Sequence, residues 1–274
     1  MKIHDHVSWS DKFQLDLLKR LLPKIRALED SVSIIIQGPI KDRSVKTIPN
    51  YLKYGEVVFS CWDKDDISRL DEYKGKIKIV VNEYSKVPKS KNQPGAQAPW
   101  IFQHFTTLNG LKSASGNLCI KVRSDESYPI LDPLVDFLRH NRDVDSFRHK
   151  IITSNIYFRY QRENLFHPSD HIICGNKRRM IDVFEKAVSL CIKKSLPQFP
   201  EQLFCQAVME SYFDPVKSRF DKMEPQKAEE LMNKHFDIIR IRDLPNHIWT
   251  SSYRKYDALY NEEGWCHRID KINS

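Results

Sequence analysis

Asn117-Leu-Cys-Ile-Lys-Val-Arg-Ser-Asp-Glu126 is a short apolar run that ends in charge. Its length and its bounding residues predict a β-strand over Asn117–Arg123. Strand side chains alternate, so Lys121, Arg123 and Asp125 share one side, with Val122 and Ser124 on the other. Three charges on one side of an otherwise apolar strand imply a cleft rather than core.

Three similar runs precede it: Ser31-Val-Ser-Ile-Ile-Ile36, Glu56-Val-Val-Phe-Ser-Cys-Trp-Asp63 and Lys76-Ile-Lys-Ile-Val-Val-Asn82. Stretches compatible with helix lie between them, at Val45–Lys53, Asp65–Tyr73 and Trp100–Ser115. Strands alternating with helices argue for an α/β protein with a mainly parallel sheet. Continuous apolar strands suit a sheet covered on both faces. Ligands of such sheets bind beyond the carboxyl ends of the strands. Those ends read Gln37-Gly38-Pro39, Cys61-Trp62-Asp63, Asn82-Glu83 and Arg123-Ser124-Asp125-Glu126. Polar groups recur at all four, and that repetition says more than any single motif.

Downstream, Ile151–Tyr160 reads as a strand, with an antiparallel placement open to it. Phe166-His-Pro-Ser-Asp-His-Ile-Ile-Cys-Gly175 reads as a loop entering another apolar run. Helices are expected at Lys177–Lys193 and from Pro200 to Tyr212, since proline suits a first turn. A helical stretch near Gln226–His235, a short strand Asp237–Ile241 and an aromatic tail follow. The chain thus divides into an N-terminal amphipathic helix (1–30), a core (31–213) and a C-terminal helical and aromatic extension packed on it (214–274). In the first segment, Ser10 is placed to cap a helix whose stripe includes Phe13, Leu17, Leu21 and Ile25, with Pro23 as a kink. That helix would pack on the core or on a second subunit, or touch a membrane surface.

Composition narrows the function. The 274 residues carry a formal charge of +8, which favours anionic ligands without choosing among phosphates, membranes and nucleic acid. The 8 glycines include no G-x-G-x-x-G and no phosphate-cradling P-loop, which weighs against dinucleotide oxidoreductases and P-loop enzymes. The 6 cysteines form no C-x-x-C pair and several sit in apolar runs, as buried thiols of a reducing compartment do. The N-terminus has no apolar signal core, and no apolar run reaches the ~18 residues of a transmembrane span. A cytoplasmic protein is expected, at most peripheral to a membrane.

Transfer of a sugar from a nucleotide diphosphate fits the strand ends. The leaving diphosphate needs a metal or cationic side chains, and an acceptor hydroxyl needs a base. Asp125 and Glu126 are candidate metal ligands, although an acidic pair after a strand also serves as a turn or cap. Lys121 and Arg123 are candidate diphosphate contacts. Asp170 and Glu201 are candidate bases, and each also suits a plain structural role in a turn or a helix first turn. His167-x-x-x-His171-x-x-Cys174 has part of a zinc spacing, but Pro168 disfavours a regular helix, and structural histidines are favoured.

Ser33-Ile-Ile-Ile-Gln-Gly-Pro39, Phe59-Ser-Cys-Trp-Asp63, Gln103 with Gly110-Leu111, Ile120–Glu126 and Phe166–His171 with Gly175, taken in order, resemble the WavE family of lipopolysaccharide-synthesis proteins. The likeness spans about residues 32–210. It implies a GT-A-like glycosyltransferase with a nucleotide-sugar donor, a UDP-sugar foremost, and a glycan acceptor. Gln37, Gly38, Pro39, Asp63, Gln103, Lys121, Arg123 and Ser124 would meet the donor. His167, Ser169 and His171 would lie on the acceptor side, with Asp170 and Glu201 as the catalytic carboxylates. A divalent cation, Mn²⁺ or Mg²⁺, would sit on Asp125 and Glu126, with His247 completing its site. Arg123 stands where the D-x-D motif of such enzymes has its first Asp, which puts that metal in question. A sugar-nucleotidyltransferase shares a similar sheet but would want a Gly-rich, basic first loop. A nucleic-acid-binding protein would want clustered basic residues, and here they are spread along the chain.

Overall fold

A computed structural model describes residues 31–89, 99–141, 149–155, 167–193, 200–211, 225–246 and 266–267. The expected N-terminal amphipathic helix, His247 and the aromatic tail lie outside the described residues.

The strands are β1 (Val32–Gln37), β2 (Glu56–Trp62), β3 (Lys78–Asn82), β4 (Leu118–Arg123), β5 (Ile151–Ser154), β6 (Ile173–Asn176), β7 (Phe236–Ile239) and β8 (Cys266–His267). The helices are α1 (Asp42–Tyr51), α2 (Pro99–Ser113), α3 (Asp132–Asn141), α4 (Lys177–Lys193), α5 (Pro200–Glu210) and α6 (Pro225–His235). All eight strands form one sheet in the order β3-β2-β1-β4-β6-β5-β7-β8. Only β6 runs against its neighbours, pairing antiparallel with both β4 and β5. The sheet is therefore mixed and mainly parallel, as the sequence predicts. Strands β7 and β8, from the C-terminal segment, extend the same sheet.

Each β1 residue is buried, because the strand is covered on both faces. Alternation sends Ile35, Val58 and Cys119 toward α2, α4 and α5. It sends Ile34, Ile36, Phe59, Ile120 and Val122 toward α1 and α3. Helix α2 crosses the first face at close range. A Cβ added at Gly110 would lie 2.6 Å from Ile35 Cγ2 and 3.2 Å from Ser60 Cβ, so a larger residue would push the helix off the sheet.

Three elements depart from expectation. Asp65–Tyr73 forms a 3-10 helix over Ile67–Tyr73, begun by Asp66 accepting from Ser68 N at 3.2 Å. Helix α3 was not anticipated, although Leu134, Val135, Phe137 and Leu138 make an apolar face on it and Asp132-Pro133 open it. The apolar run after the His167–His171 loop becomes β6 and inserts between β4 and β5, which consecutive pairing would not suggest.

Candidate functional site

Strands β1 and β4 are adjacent, yet the chain leaves β1 toward β2 on one side and returns to β4 on the other. Such a switch in strand order opens a crevice at the carboxyl ends. Gln37 and Arg123 face each other in register there, and Ser124 N donates to Gln37 O at 2.9 Å. Gly38 follows with φ of +120°, and a Cβ at that position would stand 2.7 Å from Ser124 Oγ. Only glycine fits this turn without strain. Pro39 beyond it is exposed.

Charges converge on this crevice. The Arg123 guanidinium holds the Asp125 carboxylate side-on, Nε to Oδ1 at 3.0 Å and Nη2 to Oδ2 at 2.9 Å. Burial opposes ionisation of Asp125, but the hydrogen bonds and charge of Arg123 win and hold its pKa below the usual value. Arg43, from the first turn of α1, donates from Nη1 to Asp125 O at 3.0 Å. Glu126 is buried at 1% exposure and serves as an anchor rather than a free ligand. Its Oε2 accepts from Tyr128 Oη at 2.7 Å, and its Oε1 pairs with His171 Nδ1. Burial works against a charged His171, yet the neighbouring Glu126 raises its pKa.

Lys121 lies on the same side as Arg123, as alternation requires, and is fully buried. Its Nζ donates to Asp170 O at 2.5 Å. Burial lowers its pKa from 10.5 to about 8. Asp170 Oδ2 accepts from Gln103 Nε2 at 2.7 Å, and Oδ1 lies 3.9 Å from His171 Nε2. Burial alone would raise the Asp170 pKa, but His171, Lys121, Arg123 and the Gln103 bond hold it well below the carboxylate range. The same loop is fixed by Thr153 Oγ1 donating to Ser169 O at 2.5 Å and by His171 N donating to Ser169 Oγ at 3.3 Å.

The structure thus brings Gln37, Gly38, Gln103, Lys121, Arg123, Ser124, Asp125, Glu126, Asp170 and His171 into one connected cluster. His167 and Glu201 form a separate pair, Nε2 to Oε2 at 3.2 Å. Asp63 is exposed at the end of β2 and accepts from Tyr84 N at 3.3 Å. Cys174 sits inside β6 between β4 and β5, and among the described residues no three His, Cys, Asp or Glu side chains group around a common point.

The residues do not fit a divalent cation as they are arranged. Both Asp125 oxygens face a guanidinium, and both Glu126 oxygens are taken by Tyr128 and His171. A cation on Asp125 would stand beside Arg123, and like unit charges 4 Å apart cost about 4 kcal/mol at an effective dielectric near 20.

Sequence reasoning missed several groups. Trp62, Tyr84 and Phe102 cluster at the ends of β2 and β3, with Tyr84 and Phe102 stacked at 4.5 Å between centroids. Lys64 Nζ lies 4.0 Å over the Tyr84 ring, and Tyr84 is exposed. Their signal was the aromatic residue at or just after two strand ends, Trp62 and Tyr84, to which α2 adds Phe102. His104 in α2 is buried against Phe184 and Phe204, and neither ring nitrogen has a partner among the described residues. Burial lowers its pKa to about 4, so it is neutral near pH 7. Nothing in its sequence neighbourhood marks it.

Fold and site together define an α/β protein with a charged cleft at a strand-order switch. The chain belongs to the family described as WavE lipopolysaccharide synthesis, which matches residues 32–195. No curated protein matches the chain. Among solved structures, S. aureus TarS is similar at 12% identity and a TM-score of 0.38, covering 74% of this chain and 70% of that one. Glucosyl-3-phosphoglycerate synthase from Mycobacterium tuberculosis, solved with Mn²⁺, UDP-glucose and phosphoglyceric acid, is 9% identical with a TM-score of 0.37, covering 71% and 85%. A CMP:2-keto-3-deoxy-manno-octonic acid synthetase complexed with CTP is 10% identical with a TM-score of 0.39, covering 77% and 89%. Likenesses this distant, spread over transferases and a synthetase, say nothing of this chain's donor or metal. No helix among the described residues is long and apolar enough to cross a membrane.

Proposed function

We propose that this chain is a glycosyltransferase, of the hexosyl- or pentosyltransferase class, acting within lipopolysaccharide or related glycan synthesis. It moves a sugar from a nucleotide-diphosphate sugar to an acceptor hydroxyl. The observation that carries this reading is the β1/β4 crevice, where a close-approach glycine turn meets a guanidinium with donors to spare. The family membership and the GT-A-like order of the motifs support it.

In this reading residues 31–213 are the catalytic core, the C-terminal segment completes its sheet through β7 and β8, and the N-terminal segment serves attachment to the core, to a second copy or to a membrane surface on the cytoplasmic side. Gln37, Gly38, Arg123 and Ser124 hold the donor. The stacked Tyr84–Phe102 pair beside Asp63 offers a flat face to the nucleobase, uracil foremost. Asp170 is the base. It is ionised near pH 7, and Gln103 and His171 fix its orientation. The acceptor oxygen attacks the anomeric carbon and its proton passes to Asp170. The bond from that carbon to the phosphate oxygen breaks, and its electron pair leaves with the diphosphate. His167, Ser169 and His171 shape the acceptor side. Glu201, tied to His167, is the second candidate base.

A sugar-nucleotidyltransferase would release pyrophosphate from a nucleoside triphosphate and a sugar phosphate. A panel of UDP-, GDP-, CMP- and dTDP-sugars, read by thermal shift and by donor hydrolysis, separates the readings. One nucleotide sugar is expected to bind and hydrolyse slowly. Silence across the panel, with pyrophosphate release from a triphosphate instead, would replace this reading with the second.

A further inference from the structure

We propose that the site neutralises the departing diphosphate with the Arg123 guanidinium and works without a divalent cation. This rests on the donor reading above and adds the means by which the leaving group is stabilised.

The argument is one of spent and unspent groups. Arginine carries five N–H donors in a planar fork. Nε and Nη2 of Arg123 are committed to Asp125. Nη1 has no partner among the described residues, and about a quarter of the side chain, 24%, is exposed. The side-on grip therefore fixes the plane of the guanidinium and leaves Nη1 outside the grip. Arg123 itself stands at the mouth of the β1/β4 crevice, paired with Gln37 in register. A planar fork with fixed orientation is the group that best meets phosphate oxygens.

The acidic groups show the reverse. Asp125 is bound by Arg123, Glu126 by Tyr128 and His171, and Asp170 by Gln103. Three carboxylates face two fixed cations, Lys121 and Arg123, within one cluster. The Asp125 and Glu126 carboxylates are consumed in holding the cluster, and Arg123 Nη1 is the charged donor left uncommitted. Arg43, on the Asp125 carbonyl, brings a second guanidinium to the same loop. As the anomeric C–O bond breaks, the diphosphate gains one negative charge, and Arg123 Nη1 is placed to meet it with no ion to recruit.

The test is nucleotide binding by calorimetry on the full chain, with UDP, GDP, CDP and dTDP, in excess EDTA and again in Mn²⁺. One diphosphate is expected to bind with the same affinity in both, and more tightly than its monophosphate. Arg123→Ala should lose roughly 10- to 100-fold in diphosphate affinity, the size of a lost charge-assisted hydrogen bond, and lose the preference over the monophosphate. Arg123→Lys should recover part of the affinity and little of the preference. Binding that appears only in Mn²⁺ overturns this proposal and leaves the donor site standing. Binding of no diphosphate under either condition overturns the donor reading itself. Should Arg123→Ala unfold, Arg123→Lys carries the test, and an unchanged preference in it overturns the proposal.

Discussion

The two ends of the sheet carry the same chemical ingredients and use them differently. At the amino end, Glu56 meets Lys78 Nζ at 2.6 Å, Ser33 Oγ at 2.6 Å and Ser115 N at 2.7 Å. Ser33 Oγ accepts in turn from Gly116 N at 2.8 Å, and Lys78 also donates to Ser113 O at 3.1 Å. The carboxylate there stitches α2 and the approach to β4 onto β1 and β2. A cavity of about 510 Å³ opens beside it, between Tyr54, Glu56 and Arg139, but its carboxylate is already spent on backbone and neighbour. At the carboxyl end Asp125 and Glu126 are also paired, yet Arg123 Nη1 is left over and Asp170, the proposed base, is oriented by Gln103. A cluster whose hydrogen bonds close on themselves stabilises the fold. One that closes except for a single oriented donor can bind.

The sharpest way to break that contrast is Asp170→Asn. It preserves shape and the backbone contact to Lys121 while removing the proposed base, so the transfer rate should fall by about 10²- to 10⁴-fold with nucleotide affinity nearly unchanged. Rates and binding measured on the same preparation decide it, and an undiminished rate would move the role to Glu201. Lys121→Met comes next. The folded pKa of Lys121, about 8, lies below its ordinary 10.5, so the unfolded chain binds more protons in that interval. Stability contributed by the neutral lysine is fully present above 10.5 and lost as pH falls through 8. Urea unfolding should therefore show the wild type gaining up to about 3 kcal/mol on the Met variant as pH rises across this window. A constant difference would mean that the ammonium is well solvated.

Glu56→Gln probes the other end and should have the smallest effect. Glu56 is held at a pKa of about 2 against an ordinary 4.5. Burial opposes this shift, and Lys78, Ser115 and Ser33 produce it. The stability it adds is present above 4.5 and lost as pH falls toward 2. Because the group is partly exposed, the variant should lose about 1 kcal/mol at neutral pH, and the gap should close in acid. Its nucleotide affinity should equal that of the wild type. A change there would show that the two ends are coupled.

The four parallel strands were legible because each is a continuous apolar run closed by polar residues, and β1 is buried on both faces as that pattern requires. Helices α2, α4 and α5 were legible from period and from Pro200. Strand β6 was not, since the four residues Ile173-Cys-Gly-Asn176 after a loop carry no information about which neighbours they will join. The charged side of β4 was readable from alternation alone. The fate of Glu126 was not, because Tyr128 and His171 reach it from a turn and from a distant loop.

Local pattern thus determined the order of the elements, the carboxyl-end location of the candidate site and the candidates Lys121, Arg123, Asp125 and Asp170. Strand period and side-chain alternation act between residues a few positions apart, so sequence displays them directly. Only the tertiary structure decided that Asp125 is Arg123's partner rather than a free ligand, that Glu126 is an anchor, and that Asp170 rests on a buried lysine 49 residues away. Those assignments depend on which charges meet in a low-dielectric interior, where contact distance sets the energy and sequence separation does not.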